Sequence, residues 1–418
     1  QWIFHPHHPE LQVGDSWDEP RKLARLSIAQ TQELTNGVAL FEFPLNVRFK
    51  GPFGTVDKTL QVKEKQEDFF FPLSNAPDIA RLDPDYVLLA RIRFDPPRKM
   101  LAAQLKDETD LMGRIFALGS LDKSHDKETI DLIADRLRND PFYGVRVEAA
   151  QALRTIHTKE AMEALLASTK QSDARVRQKI TTELANFFDP SAERFEKQVI
   201  SEEKNPDVKS HAVRGLASYP AEGIRPLLEE NLRSESFEDL LGDAAIAAMR
   251  AQNDPSFIPD IISVLEKRQL GPTSRGLAHG LDAVAYLARN EQKKDAAYNF
   301  IVKYINSSRS RVQEAAIKAL GVLRDDRALP VLATFASGAK DLPETTAAAR
   351  AIETIRENRP VITELQGLRN EVIELKKQND ELKKSFDELS KKFDATSPKM
   401  PESAKPKKQG GRKGKGDQ

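Results

Sequence analysis

The sequence predicts an N-terminal antiparallel β-sandwich followed by an α-solenoid, then a coiled-coil helix and a disordered basic tail. Three observations predict it. Apolar and polar residues alternate in short runs over residues 1–98. An i, i+4, i+8 apolar pattern recurs over 99–358, and a seam of alternating three- and four-residue steps follows over 360–395.

Phe41, Phe43, Leu45, Val47 and Phe49 alternate with Glu42, Pro44, Asn46 and Arg48, as in a strand with one buried face. Residues 21–32 form a second strand candidate, with Leu26 and Ile28 on one face, and Asn36-Gly37 between the two is a hairpin signal. Gly51-Pro52-Phe53-Gly54 is another turn, and residues 59–63 alternate around Leu60 and Val62. Tyr86, Leu88, Ala90, Ile92 and Phe94 form a last strand, closed by Pro96-Pro97. Short strands with turns at this spacing predict the antiparallel sandwich.

The helical pattern begins at Val145/Ala149/Leu153 and returns at Val176/Ile180/Leu184, Val208/Ala212/Leu216 and Leu241/Ala245/Met249. It continues at His279/Ala283/Leu287, Val312/Ala316/Leu320 and Ala347/Ala351/Ile355, in steps of 31, 32, 33, 38, 33 and 35 residues. Each unit holds a second apolar helix, for example 224–232, 257–265 or 329–335. Asp140-Pro141, Asp189-Pro190, Asn205-Pro206 and Asp254-Pro255 read as helix caps followed by a first-turn proline. Such pairs bury their apolar faces only by stacking, which predicts about seven pairs in a solenoid. The run from Asp140 to Leu153 resembles a HEAT repeat, so the region is a HEAT-like α-solenoid.

Pro360 ends the repeats. Leu365, Val372, Asn379, Phe386 and Phe393 fall at a, and Leu368, Leu375, Leu382 and Leu389 at d. Leu at d with a single Asn at a favours a parallel coiled-coil homodimer, in which Glu364 and Glu371 face the partner's Arg369 and Lys376. The alternative is a lone amphipathic helix folded back on the solenoid. Residues 396–418 carry seven Lys or Arg against Glu402 and Asp417, with Gly and Pro between, a composition that buries no core.

Sixty-four basic residues balance 64 acidic ones among 418, which excludes a whole-chain basic field. The tail lacks aromatics on which bases could stack, so nucleic acid is not the expected partner. There is no cysteine, which excludes disulfides, thiolate metal sites and thiol nucleophiles. No apolar run is long enough for a membrane span. The chain opens at Gln1 on the apolar Trp2-Ile3-Phe4, as if within a longer pattern.

Seven histidines are present and none begins H-E-x-x-H; G-x-S-x-G and a P-loop are also missing. His5, His7 and His8 form the one histidine cluster. It reads as a metal site or as a proline-stiffened segment entering the sandwich, and the second reading is preferred because no fourth ligand is evident. Asp83-Pro84-Asp85 reads as a carboxylate pair or, preferably, a turn before the last strand. His279 stands where other repeats carry small or apolar residues, which favours a satisfied core or interface histidine over a ligand. Residues 69–73, Phe-Phe-Phe-Pro-Leu, read as sandwich core, with an exposed peptide-binding patch as the alternative. No catalytic, cofactor-binding or metal residue is assigned.

Trp2-Ile3-Phe4, His8-Pro9-Glu10-Leu11-Gln12-Val13, the stretch from Leu26 to Gln32 and Phe43-Pro44-Leu45-Asn46-Val47 together resemble one known segment. So do the stretch from Arg81 to Leu89, Leu105-Lys106-Asp107 and the stretch from Asp110 to Ile115. The segment is the post-catalytic β-sandwich of gluzincin aminopeptidases, the aminopeptidase N type. In that family a thermolysin-like zinc domain precedes the sandwich and helical repeats follow it. The resemblance implies the non-catalytic C-terminal portion of a zinc aminopeptidase, with an upstream catalytic domain as partner and a peptide substrate walled in by the solenoid's concave face. The family's zinc ligands and catalytic groups lie upstream of its sandwich, so none is carried onto a residue here, and zinc is implied only for that missing domain. The alternative is a catalytically inactive protein-binding scaffold of the same architecture, as in relatives within a eukaryotic transcription-initiation complex.

Overall fold

The computed structural model describes residues 6–34, 38, 40–267, 273–339, 342–357 and 364–396. The chain forms two units, 1–358 and 359–418.

The first unit opens with seven strands: β1 (Glu10–Asp18), β2 (Leu23–Gln30), β3 (Phe43–Gly51), β4 (Gly54–Val62), β5 (Gln66–Pro72), β6 (Ile79–Leu82) and β7 (Arg91–Phe94). They make two sheets, ordered β5-β2-β1-β7 and β4-β3-β6. Leu11, Val13, Leu26 and Ile28 from the first face Phe43, Leu45, Val47 and Phe49 from the second, all at most 3% exposed. The predicted turn at 51–54 is the β3–β4 hairpin, where Gly51 pairs with Gly54, and Gly54 takes the positive φ of 88° that favours glycine.

Four expectations are corrected. The sandwich is not wholly antiparallel, because β7 runs parallel to β1. The chain leaves β6 in one sheet and crosses to the far edge of the other, so it arrives in β1's direction. β2 and β3 do not form a hairpin, since they lie in different sheets. The buried Gln30 side chain clamps the crossing, its Nε2 donating to the Phe41 carbonyl (2.8 Å) and its Oε1 accepting from the Phe41 N–H (3.0 Å). Asn36 and Gly37 themselves lie outside the described residues. The expected strand from Tyr86 shrinks to Arg91–Phe94. Before it, Asp83 and Tyr86 have positive φ, and the Asp83 carboxylate accepts the N–H groups of Val87 (3.1 Å) and Leu88 (2.9 Å). Asp83-Pro84-Asp85 is therefore a turn, and alternation past it reflects a pinned loop. Finally, the Phe-rich run is core only on alternate residues: Phe71 and Leu73 are buried while Phe70 is 58% exposed.

Sixteen helices follow: α1 (Arg98–Lys106), α2 (Leu111–Leu121), α3 (Lys127–Asn139), α4 (Tyr143–Ile156), α5 (Lys159–Leu166), α6 (Ala174–Leu184), α7 (Pro190–Glu202), α8 (Pro206–Gly215), α9 (Ala221–Arg233), α10 (Leu240–Gln252), α11 (Ile258–Lys267), α12 (Ser274–Ala288), α13 (Asp295–Val302), α14 (Ser310–Leu323), α15 (Ala328–Ala336) and α16 (Pro343–Glu357). No strand falls among the described residues of this region. The even-numbered helices stack on one another, α2 through α16, and each odd helix packs on the even one after it. Residues 224–232 thus pair forward, α9 with α10, rather than back with α8. The described residues hold eight pairs, one more than expected, because α1–α2 lacks the apolar triplet.

The predicted triplets are buried except at His279, which is half-exposed while Ala283 and Leu287 of the same triplet are buried. α12 is buried over a wide face, on which Gly276, Gly280 and Val284 also point inward. Small residues are required here: a Cβ on Gly280 would run into Leu265, and one on Gly321 would lie 2.8 Å from the Ala351 Cα. Asp189, Asn205 and Asp254 cap as expected. The Asp140 carboxylate makes the same bond, accepting from the Phe142 N–H at 3.0 Å, but α4 begins one residue later at Tyr143, and the group also pairs with Arg114.

In the second unit α17 (Glu364–Thr396) is one 33-residue helix. Val372, Leu375, Leu382, Phe386 and Leu389 of the predicted seam are 52–71% exposed. The side chains of Leu365, Leu368 and Phe393, the break at Pro360 and the tail from 397 lie outside the described residues.

Candidate functional site

The sandwich and the first repeats meet through charged side chains. Arg81 of β6 is 4% exposed, and its Nε donates to the Asp110 carboxylate at 2.7 Å. Asp110 also caps α2, accepting from the Gly113 N–H at 2.7 Å. One turn on, Arg114 pairs with Asp140 at 2.9 Å and donates to the Asp107 carbonyl at 3.0 Å. Arg114 and Asp140 are 2% and 0% exposed. Lys50 of β3 reaches Asp107 at 2.5 Å. Burial works to raise the Asp107 carboxyl, but hydrogen bonds from Lys50 and Thr109 together outweigh it and hold the group below its ordinary value. These contacts tie two strands to the two loops that close the first helix pairs.

Along the stack, polar rungs join successive even helices. Gln178 donates to His211 Nε2 (2.8 Å), while His211 Nδ1 lies 2.9 Å from Thr182 Oγ1. The Thr182 hydroxyl donates to the Gln178 carbonyl, so Nδ1 carries the proton and the ring is neutral. Burial first, then the Arg214 charge, lower the His211 pKa in agreement. Asp243 accepts from both Arg214 (3.2 Å) and His279 Nδ1 (2.5 Å), and Arg250 meets Asp282 at 2.5 Å. His279 is therefore a half-exposed rung of the ladder.

Guanidinium groups also lie over aromatic rings of neighbouring repeats: Arg175 over Tyr143 (3.4 Å), Arg225 over Phe257 (4.0 Å), Arg250 over Tyr286 (4.1 Å) and Arg327 over Tyr298 (4.7 Å). Sequence reasoning missed these pairs. Their signal was the repeat itself, since the partners stand 32, 32, 36 and 29 residues apart.

Among the described residues, no three or more His, Cys, Asp or Glu gather as a metal site would require. His7 is exposed, His8 half-buried, and His5 lies outside the described residues. None of the described helices is long and apolar enough to cross a membrane. Large apolar side chains exposed among the described residues include Val87 on the sandwich, Phe237 just before α10 and the α17 seam.

Comparison with known proteins matches residues 98–185 to HEAT repeats and residues 312–337 to the PBS lyase HEAT-like repeat. A 185-residue stretch is 25% identical to transcription initiation factor TFIID subunit 2 of Drosophila melanogaster, covering 37% of this chain and 15% of that protein. Among solved structures, aminopeptidase A of Legionella pneumophila in complex with aspartic acid aligns with a TM-score of 0.43 at 12% identity, over 83% of this chain and 49% of that one. Human deoxyhypusine hydroxylase in complex with glycerol aligns with a TM-score of 0.28 at 16% identity, over 62% and 96%. The chain thus spans a small part of the TFIID subunit and about half of the aminopeptidase. Stacked helix pairs thus run from Arg98 to Glu357, with HEAT repeats matched over 98–185 and 312–337, and two β-sheets precede them.

Proposed function

We propose that this chain is a non-catalytic protein-binding scaffold: a β-sandwich locked to a HEAT array, with α17 joining two copies. The observation that carries the reading is the buried junction of Arg81–Asp110 and Arg114–Asp140, which fixes what the sandwich holds relative to what the repeats hold. The partial match to a TFIID subunit supports it, since subunits of an assembly act by binding.

A second reading is the non-catalytic portion of a zinc metallo-aminopeptidase, supporting an upstream catalytic domain, with the HEAT array as one wall of the peptide chamber. It is favoured by the fact that Arg81, Asp107, Asp110 and Arg114, which carry the resemblance to gluzincin aminopeptidases, are the residues of this junction. The gene upstream of Gln1 separates the two. An in-frame H-E-x-x-H with a downstream acidic ligand decides for the peptidase; a start codon close to Gln1 decides for the scaffold.

The homodimer is expected from the exposed seam on α17, where Asn379 pairs satisfy one another only in register. Sedimentation is expected to give a dimer mass for the whole chain and a monomer mass for a chain ending at residue 358. Monomers in both cases contradict the coiled coil.

A further inference from the structure

Arg81 has one buried donor left over. Its Nε is taken by Asp110, but its Nη2 has no hydrogen-bond partner among the described residues. Arg81 is one of the residues around a cavity of about 260 Å³ walled by β6, β7, the 83–90 loop and Phe116 of α2. Leu82, Leu88, Ile92 and Phe94 make that wall apolar. β6 and β7 are each the last strand of their sheet, so the cavity lies between two open edges. Arg91 donates its N–H to the Pro9 carbonyl on the β1 side. By alternation, the backbone polar groups of Ile92 and Phe94 face away from β1, toward the open edge.

The surrounding charges define what fits. Asp110 already balances Arg81, and Asp83 adds a second carboxylate to the wall. A carboxylate ligand would make a third negative group, so the spare N–H suits a neutral oxygen, such as a peptide carbonyl. On the other face of β7, Arg91 and Arg93 are exposed. A strand added beside β7 would therefore turn apolar side chains toward the cavity and its alternate ones toward two arginines.

We propose that the β7 edge captures an extended peptide segment of a partner protein in which acidic and bulky apolar residues alternate. One apolar side chain fills the cavity, and a backbone carbonyl accepts from Arg81 Nη2. This site is on the sandwich, so it goes beyond the binding role given to the HEAT array and to α17.

The test is fluorescence anisotropy of the full chain with an end-blocked, dye-labelled hexapeptide alternating glutamate with leucine and phenylalanine. Saturable binding is expected. Ala90→Trp, which fills the cavity from its rim, is expected to weaken it about tenfold or more, equivalent to about 1.4 kcal/mol. Arg91→Glu with Arg93→Glu is expected to weaken it several-fold at low salt. N-methylation of alternate peptide amides leaves the protein's fold untouched and is expected to abolish binding. Absence of saturable binding, an equal response to a lysine-for-glutamate peptide, or indifference to N-methylation would each overturn the proposal.

Discussion

Asp140→Ala is expected to destabilise the chain by about 3–5 kcal/mol, the usual cost of breaking a buried ion pair from one side. Arg114 would keep its charge at 2% exposure with no carboxylate beside it. For a unit of this size that corresponds to a melting temperature lower by about 5 °C. Arg114→Met combined with Asp140→Leu is expected to recover most of the loss, because the double change removes both charges rather than stranding one. Thermal unfolding of the three proteins checks this. A loss under about 1 kcal/mol, as for an exposed pair such as Arg98–Glu128, would show that the junction is not the lock described here.

The second large effect has the opposite sign. Glu196 on α7 is 0% exposed, and neither carboxylate oxygen has a partner among the described residues. It packs against Gly215, where a Cβ would lie 3.2 Å from its Cδ, and burial pushes its pKa well above the ordinary value of 4.5. Folding therefore favours the protonated carboxyl relative to the unfolded chain. Its contribution is fully present below about pH 4.5 and is lost as pH rises toward the folded pKa, at up to about 1.4 kcal/mol per pH unit. Glu196→Met, unbranched and similar in length, is expected to raise the urea midpoint at pH 8 and leave it nearly unchanged at pH 4. Parallel pH curves for the two proteins would contradict a raised Glu196 pKa.

Periodicity carried much of the fold. The alternation from Phe41 to Phe49 gave β3 its buried face, and the recurring triplets placed α4, α6, α8, α10, α14 and α16. What periodicity does not encode is pairing. Nothing in Arg91–Phe94 says that it joins β1 in parallel, and Gln30 reads as an ordinary strand residue until it is seen bridging the sheets to Phe41. At α12 only His279 of the expected triplet is not buried, and what periodicity does not show there is Gly280, where a Cβ would run into Leu265. The junction was illegible for a different reason. In a chain that is 31% charged, Arg81, Asp110 and Arg114 look like solvated surface and Asp140 like a helix cap, and only the packing of a sandwich against the first repeats buries them. The same holds for Glu196, whose neighbours along the helix, Phe195 and Lys197, give no sign that it points inward.

The role proposed for this chain is to bind and support partner proteins. A zinc enzyme needs three protein ligands that lower the pKa of a bound water to about 7, and the sequence offers neither an H-E-x-x-H pair nor any cysteine. The direct measurement is made on purified residues 1–418: metal content by elemental analysis, and turnover of aminoacyl chromogenic substrates with and without chelator. The account predicts no stoichiometric zinc and no hydrolysis. Stoichiometric zinc with chelator-sensitive turnover would contradict it and would direct attention to His5, His7 and His8.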